Sequence, residues 1–214
     1  MNLQEKRVLN SLKPIIKEWK IIIKKYSNEN ENEDALYWYN ERATLSTFAG
    51  AIWLSGGTVL EEFSATKIKS KKKKYGRTDL WFDWHRKEYI VEAKQVSSTF
   101  EPRKTTVVDK MEKFLEKACE DAKIFSPPKD HQNPLRIGIT FLTPYLSESK
   151  DKPGIMKSKI SDLKKRLSRK YGRRLLAWIF PPSTWKLKDT KDRLIYPGVA
   201  LVAKVVRKKT DKKK

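Results

Sequence analysis

Asp79, Glu92 and Lys94 are the residues of this chain whose types and spacing could do chemistry. They lie in the segments Gly76-Arg77-Thr78-Asp79-Leu80-Trp81-Phe82-Asp83-Trp84 and Tyr89-Ile90-Val91-Glu92-Ala93-Lys94. Both segments read as apolar strands, and His85-Arg86-Lys87-Glu88 between them is a polar interruption suited to a turn. Side chains two apart on a strand share a face, so Glu92 and Lys94 point the same way. Pairing Trp84 with Tyr89 sets Asp79 opposite Lys94 and Trp81 opposite Glu92, and all three ionisable groups then share that face. Carboxylates converging on one point repel unless a cation sits between them. Such hard oxygen ligands suit Mg²⁺, with Mn²⁺ as its substitute. A neighbouring lysine would orient or deprotonate a water, or balance charge forming on a phosphate. The chemistry expected is metal-dependent cleavage of a phosphodiester backbone.

Several elements must position this hairpin. A helix is expected from Ala35 to about Leu54, with Leu36, Leu45, Phe48 and Ile52 on its buried face. Glu41 precedes Leu45 by four residues and falls on that face, where an acid needs a partner or a task. Gly56-Gly57 ends the helix, and Thr58 to Ser64 reads as a strand carrying Glu61 and Glu62, one on each face. Either is an alternative acidic ligand to Glu41. Lys67, Lys69, Lys71, Lys72, Lys73, Lys74 and Arg77 then crowd the approach to Asp79, and Arg103 and Lys104 lie in a loop beyond Lys94. These cations are read as phosphate contacts.

The rest of the pattern describes an α/β protein. Helices are expected over residues 5–26, 106–125 and 155–171, and strands over 135–142, 175–180 and 199–206. Residues 1–34 form an N-terminal helix and an acidic linker, 35–206 the main domain, and 207–214 a basic tail. The 214 residues suffice for one sizeable core. A formal charge of +22 favours a polyanionic partner, while 38% hydrophobic residues and seven tryptophans argue for a folded chain. One cysteine, Cys119, excludes an intramolecular disulfide framework, and two histidines are too few for most zinc chemistry. Neither a membrane-spanning apolar stretch nor a signal-peptide pattern occurs, so no membrane partner is expected and cytoplasmic placement is the default.

Asp79, the hairpin-sized gap, Glu92-Ala93-Lys94 and the upstream Asn40-Glu41-Arg42-Ala43-Thr44-Leu45 together resemble the PD-(D/E)xK, or restriction-endonuclease-like, nuclease superfamily. The helix is similar to the acid-bearing first core helix of archaeal Holliday-junction resolvases. Thr78 stands where the family name has proline, and the resemblance covers about residues 35–142. It implies a restriction-endonuclease-like core, a central mixed β-sheet flanked by helices. It also implies Asp79 and Glu92 as catalytic carboxylates, Lys94 as catalytic lysine and Glu41 as auxiliary acid. Asp79, Glu92 and the Ala93 carbonyl would hold Mg²⁺, with Glu41 completing the site or binding a second ion. The implied function is a deoxyribonuclease, an endonuclease acting on double-stranded or branched DNA. Coordinated cuts in two strands would suit a homodimer. The alternative is a noncatalytic DNA- or RNA-binding module that keeps a nuclease-like fold, its acidic residues held in a hydrogen-bonded or ion-paired network.

Overall fold

The computed structural model describes residues 3–69, 72–100, 105–127, 134–151, 154–189 and 191–206. The tail at 207–214 therefore lies outside the described residues, as do Lys71, Arg103 and Lys104.

The N-terminal helical pattern resolves into α1 (Leu3–Ser11) and α2 (Lys13–Glu29). Pro14 lies in the first turn of α2, where its missing N–H removes no helical bond. The next helix starts later than its sequence suggests. Leu36–Trp38 is a single 3₁₀ turn, and α3 is Glu41–Leu54. Asn40 caps it, its side chain accepting from the Ala43 N–H at 2.9 Å. Leu36 is thus outside the helix, and Glu41 is its first residue instead of part of its apolar stripe. Trp19 on α2 is fully buried and donates its indole N–H to Thr47 on α3 at 2.9 Å. Burying a side chain of that kind contributes about 1.5–3 kcal/mol, and the hydrogen bond satisfies its one polar atom.

The sheet strands are β1 (Thr58–Lys69), β2 (Lys72–Trp84), β3 (Lys87–Thr99), β4 (Phe125–Ser126), β5 (Leu135–Ser147), β6 (Leu175–Ile179), β7 (Lys188–Asp189), β8 (Leu194–Ile195) and β9 (Val199–Val206). The path runs β4-β1-β2-β3-β5, then continues through β9 to β6, with β8 and β7 attached to the end of β5. Among the described residues, only β3 and β5 pair in parallel. The helix α4 (Val107–Lys123) makes the crossover between them, as a parallel pair requires. Helix α5 (Ile155–Tyr171) follows β5.

One core lies between α1–α3 and the sheet, around Trp19, Phe48, Phe82, Tyr89 and Phe141. A second lies under α4 and α5, around Met111, Leu115, Ile160, Leu163 and Val202. The fold is therefore mixed α/β, a central mixed sheet with helices on both faces. A small third cluster joins Ala65, Ile90 and Phe125 beneath β1. Among the described residues, no helix is long and apolar enough to cross a membrane.

Candidate functional site

The β2–β3 hairpin closes through His85 and Arg86, both with positive φ of 52° and 57°. A two-residue turn of this kind matches the twist of the strands it joins. It sets Phe82 opposite Tyr89 and Trp84 opposite Lys87, two residues away from the expected register. A shift of two leaves every side chain on its original face. Asp79, Glu92 and Lys94 accordingly keep their common side.

The ladder between β2 and β3 ends at Leu80 and Val91. Beyond it the strands part, and Asp79 fills the opening with its carboxylate: the Ala93 N–H donates to Asp79 Oδ2 at 2.7 Å. Glu41 performs the same service one pleat on, its Oε2 accepting from the Gln95 N–H at 2.7 Å. Gln95 Nε2 in turn donates to the Tyr37 carbonyl at 3.0 Å. The acids of the cleft thus replace missing strand partners for the backbone of β3.

Glu92 is turned elsewhere. Its side chain is 3% exposed, and Lys67 Nζ on β1 approaches its Oε1 at 2.8 Å. Burial pushes the Glu92 carboxyl up to about 7, against the pull of Lys67 and with some help from Asp79. Burial also raises Glu41, partly offset by the Gln95 N–H and Lys94. Lys94 donates to the Ala93 carbonyl at 2.8 Å and pairs with Asp121 of α4 at 3.2 Å. Burial alone would lower the Lys94 ammonium, but Asp79, Glu41 and Asp121 together raise it.

These partners correct the expected chemistry. The three carboxylates address three different protein groups, and the Ala93 carbonyl, expected as a metal ligand, accepts from Lys94. Among the described residues, no group of three His, Cys, Asp or Glu side chains is arranged to hold a metal ion. The residues do not fit a Mg²⁺ or Mn²⁺ centre. The metal-dependent endonuclease expected from Asp79, Glu92, Lys94 and Glu41 is overturned with it. Neither alternative acid restores the site. Glu61 accepts from Ser46 at 2.9 Å, and Glu62 takes Arg42 at 2.8 and 3.0 Å and Arg77 at 3.3 Å. Asp121, which holds Lys94, carries no signal in the sequence. It is 27 positions away, and only the packing of α4 on β3 brings it in.

The described part of the lysine run extends the strands beyond Ser64 and ahead of Gly76. It forms the two arms of a β-ribbon, with Lys69 paired to Lys72 and Ser64 to Arg77. Glu62, at φ 53°, marks the base of this ribbon and interrupts the β1–β2 ladder opposite Asp79. Odd-numbered positions of β1 change layers there. Val59 packs against the α3-side core, whereas Phe63 and Ala65 pack with Ile90 and Phe125 on the other side. Lys67 belongs to the buried pair with Glu92. Lys72, Lys73, Lys74 and Arg77 are exposed. The side chain of Lys69 lies outside the described ones.

No family model matches the chain, and neither a curated protein nor a solved structure shows significant similarity to it.

Proposed function

We propose that the chain is a noncatalytic nucleic-acid-binding module on a nuclease-like core, gripping the phosphate backbone of DNA or RNA with the β1–β2 ribbon. The nuclease-like element of this reading rests on the helix α3, the β2–β3 hairpin and the α4 crossover standing in that order, with Asp79, Glu92 and Lys94 on one face. The noncatalytic element rests on the partners those groups take from the protein.

One observation carries the binding. Lys72, Lys73 and Lys74 are consecutive, exposed, and sit where β2 no longer pairs with β3. Consecutive strand residues point to opposite faces, so the ribbon is positive on both. Lysines on an open strand also block edge-to-edge aggregation. A single inward lysine serves that purpose, whereas a positive charge on both faces, in a chain of net charge +22, suits a polyanion. The basic helix α5 is a weaker candidate, because Arg166 is paired with Asp162 at 2.9 Å and Lys164 lies over the Phe180 ring.

The test is the salt dependence of binding. Each phosphate neutralised on duplex DNA contributes about 0.9 to the slope of log affinity against log salt. Replacing Lys72, Lys73 and Lys74 together by Glu should weaken binding of a labelled duplex and flatten that slope by about 2.7. Chelation of divalent ions should leave binding unchanged. An unaltered slope in the triple variant would remove the ribbon from the interface.

A further inference from the structure

The ribbon's two faces differ, and the difference points to the kind of nucleic acid. On the inner face Lys67 reaches down to Glu92, its side chain only 17% exposed. Gly76 lies across from Ala65, and a Cβ there would meet the Lys67 stem at 3.4 Å. This face is anchored to the body of the protein, which fixes the other face outward.

The outer face carries Lys73, Tyr75 and Arg77 in a row, each about 6.8 Å from the next by the strand rise. Their cross-strand neighbours are Ile68, Thr66 and Ser64. None of these is aromatic, and Tyr75 is 94% exposed. Among the described residues, neither its ring nor its hydroxyl has a partner. A tyrosine left this open contributes little to the fold, and strand propensity alone does not require an aromatic ring there. Arg77 shares Glu62 with Arg42, so two guanidiniums face one carboxylate and the end of the row stays positive. The Arg77 side chain is 69% exposed, and an ion pair so exposed is weak enough for a phosphate to displace.

A flat ring midway between two cations about 13.6 Å apart along the strand suits a base that is not already stacked in a duplex, with its backbone running past a cation on each side. We propose that Lys73, Tyr75 and Arg77 form a platform for single-stranded nucleic acid. Tyr75 stacks on one unpaired base, and the two cations engage the phosphates on either side. Every base has a π-face, so the platform requires no sequence. The assignment rests on the nucleic-acid reading above and narrows it.

The test compares fluorescein-labelled oligo(dT) with a labelled duplex of equal length, using the full chain. Tyr75→Ala should weaken oligo(dT) binding by on the order of ten- to hundredfold, the loss of one stacked base. Tyr75→Phe keeps the ring and should retain the wild-type affinity, and duplex binding should not respond to either change. Equal circular dichroism melts would show that the variants fold. The platform is overturned if Tyr75→Ala leaves oligo(dT) binding intact, if it weakens duplex binding equally, or if Tyr75→Phe is as poor as Tyr75→Ala. In those cases general nucleic-acid binding stands. Should the wild-type chain bind neither probe, both proposals fall together.

Discussion

Two regions that share strand β2 use the same residue types in opposite ways. Around Leu80 and below it, Asp79, Glu92 and Lys94 are enclosed, and each is held by another part of the chain. Beyond Glu62, Lys72, Lys73, Lys74 and Tyr75 stand in solvent. The boundary is the interruption of the β1–β2 ladder at Glu62, opposite Asp79. Enclosure raises the cost of an unpaired charge, so buried groups are selected with their partners. Exposure removes that cost and leaves cations available to a ligand. A set of acids and lysines therefore describes chemistry only after the partner of each is known.

The contrast can be broken most strongly through Glu92. Its folded carboxyl, near 7, is raised by burial above the ordinary value of 4.5. The folded state thus binds this proton more tightly than the unfolded one. The stability it contributes is fully present below about 4.5 and is lost as pH rises to about 7. Glu92→Gln cannot ionise, so between those limits it should gain on the wild type by on the order of 3 kcal/mol. Urea denaturation across the window measures it. A constant difference between the two chains would show that Glu92 titrates normally.

The second effect is smaller and comes from the other half of the pair. Removing one member of a buried ion pair costs about 3–5 kcal/mol when the survivor must stay charged. Glu92 has an escape, because a carboxyl already near 7 takes up a proton once Lys67 is gone. Lys67→Met should therefore cost only about 1–2 kcal/mol at neutral pH, increasing by up to about 1.4 kcal/mol for each pH unit above that. A pH-independent loss would mean that Lys67 matters for packing alone. The smallest effect belongs to the ribbon. Lys73→Ala and Tyr75→Ala should each alter stability by no more than about 0.5 kcal/mol, as exposed substitutions do. A larger thermal shift would place the ribbon within the folding unit and erase the contrast.

Much of the architecture was legible from periodicity. Helix α5 and strand β9 begin and end where their apolar patterns do. Helix α4 differs from its expected span by a residue or two at each end. The β2–β3 register differs from the expected one by two residues, which leaves the faces unchanged. Errors arose where local preference and tertiary pairing disagree. Lysine is a poor strand former, so the expected strands stop at Ser64 and begin again at Gly76, yet pairing with β1 holds Lys72–Trp84 as one strand. Spacing from Leu45 places Glu41 on the apolar stripe, whereas Asn40 immediately before it is a strong helix cap and makes Glu41 the first helical residue. Tyr75 carries no signal in the sequence, because a single aromatic among lysines has no periodicity to mark it.

By itself the sequence determined that Glu92 and Lys94 share a face and that the chain is strongly basic, whereas Asp79 joins that face only in registers an even number of residues apart. The pleat repeats every two residues, and neither a two-residue slip nor any packing alters those facts. Only the tertiary structure decided what each group does. The partners Ala93 N–H, Gln95 N–H, Lys67 and Asp121 come from separate strands and a crossover helix. Their arrival depends on how the layers close, and burial then turns three acids of one apparent site into three separately satisfied groups.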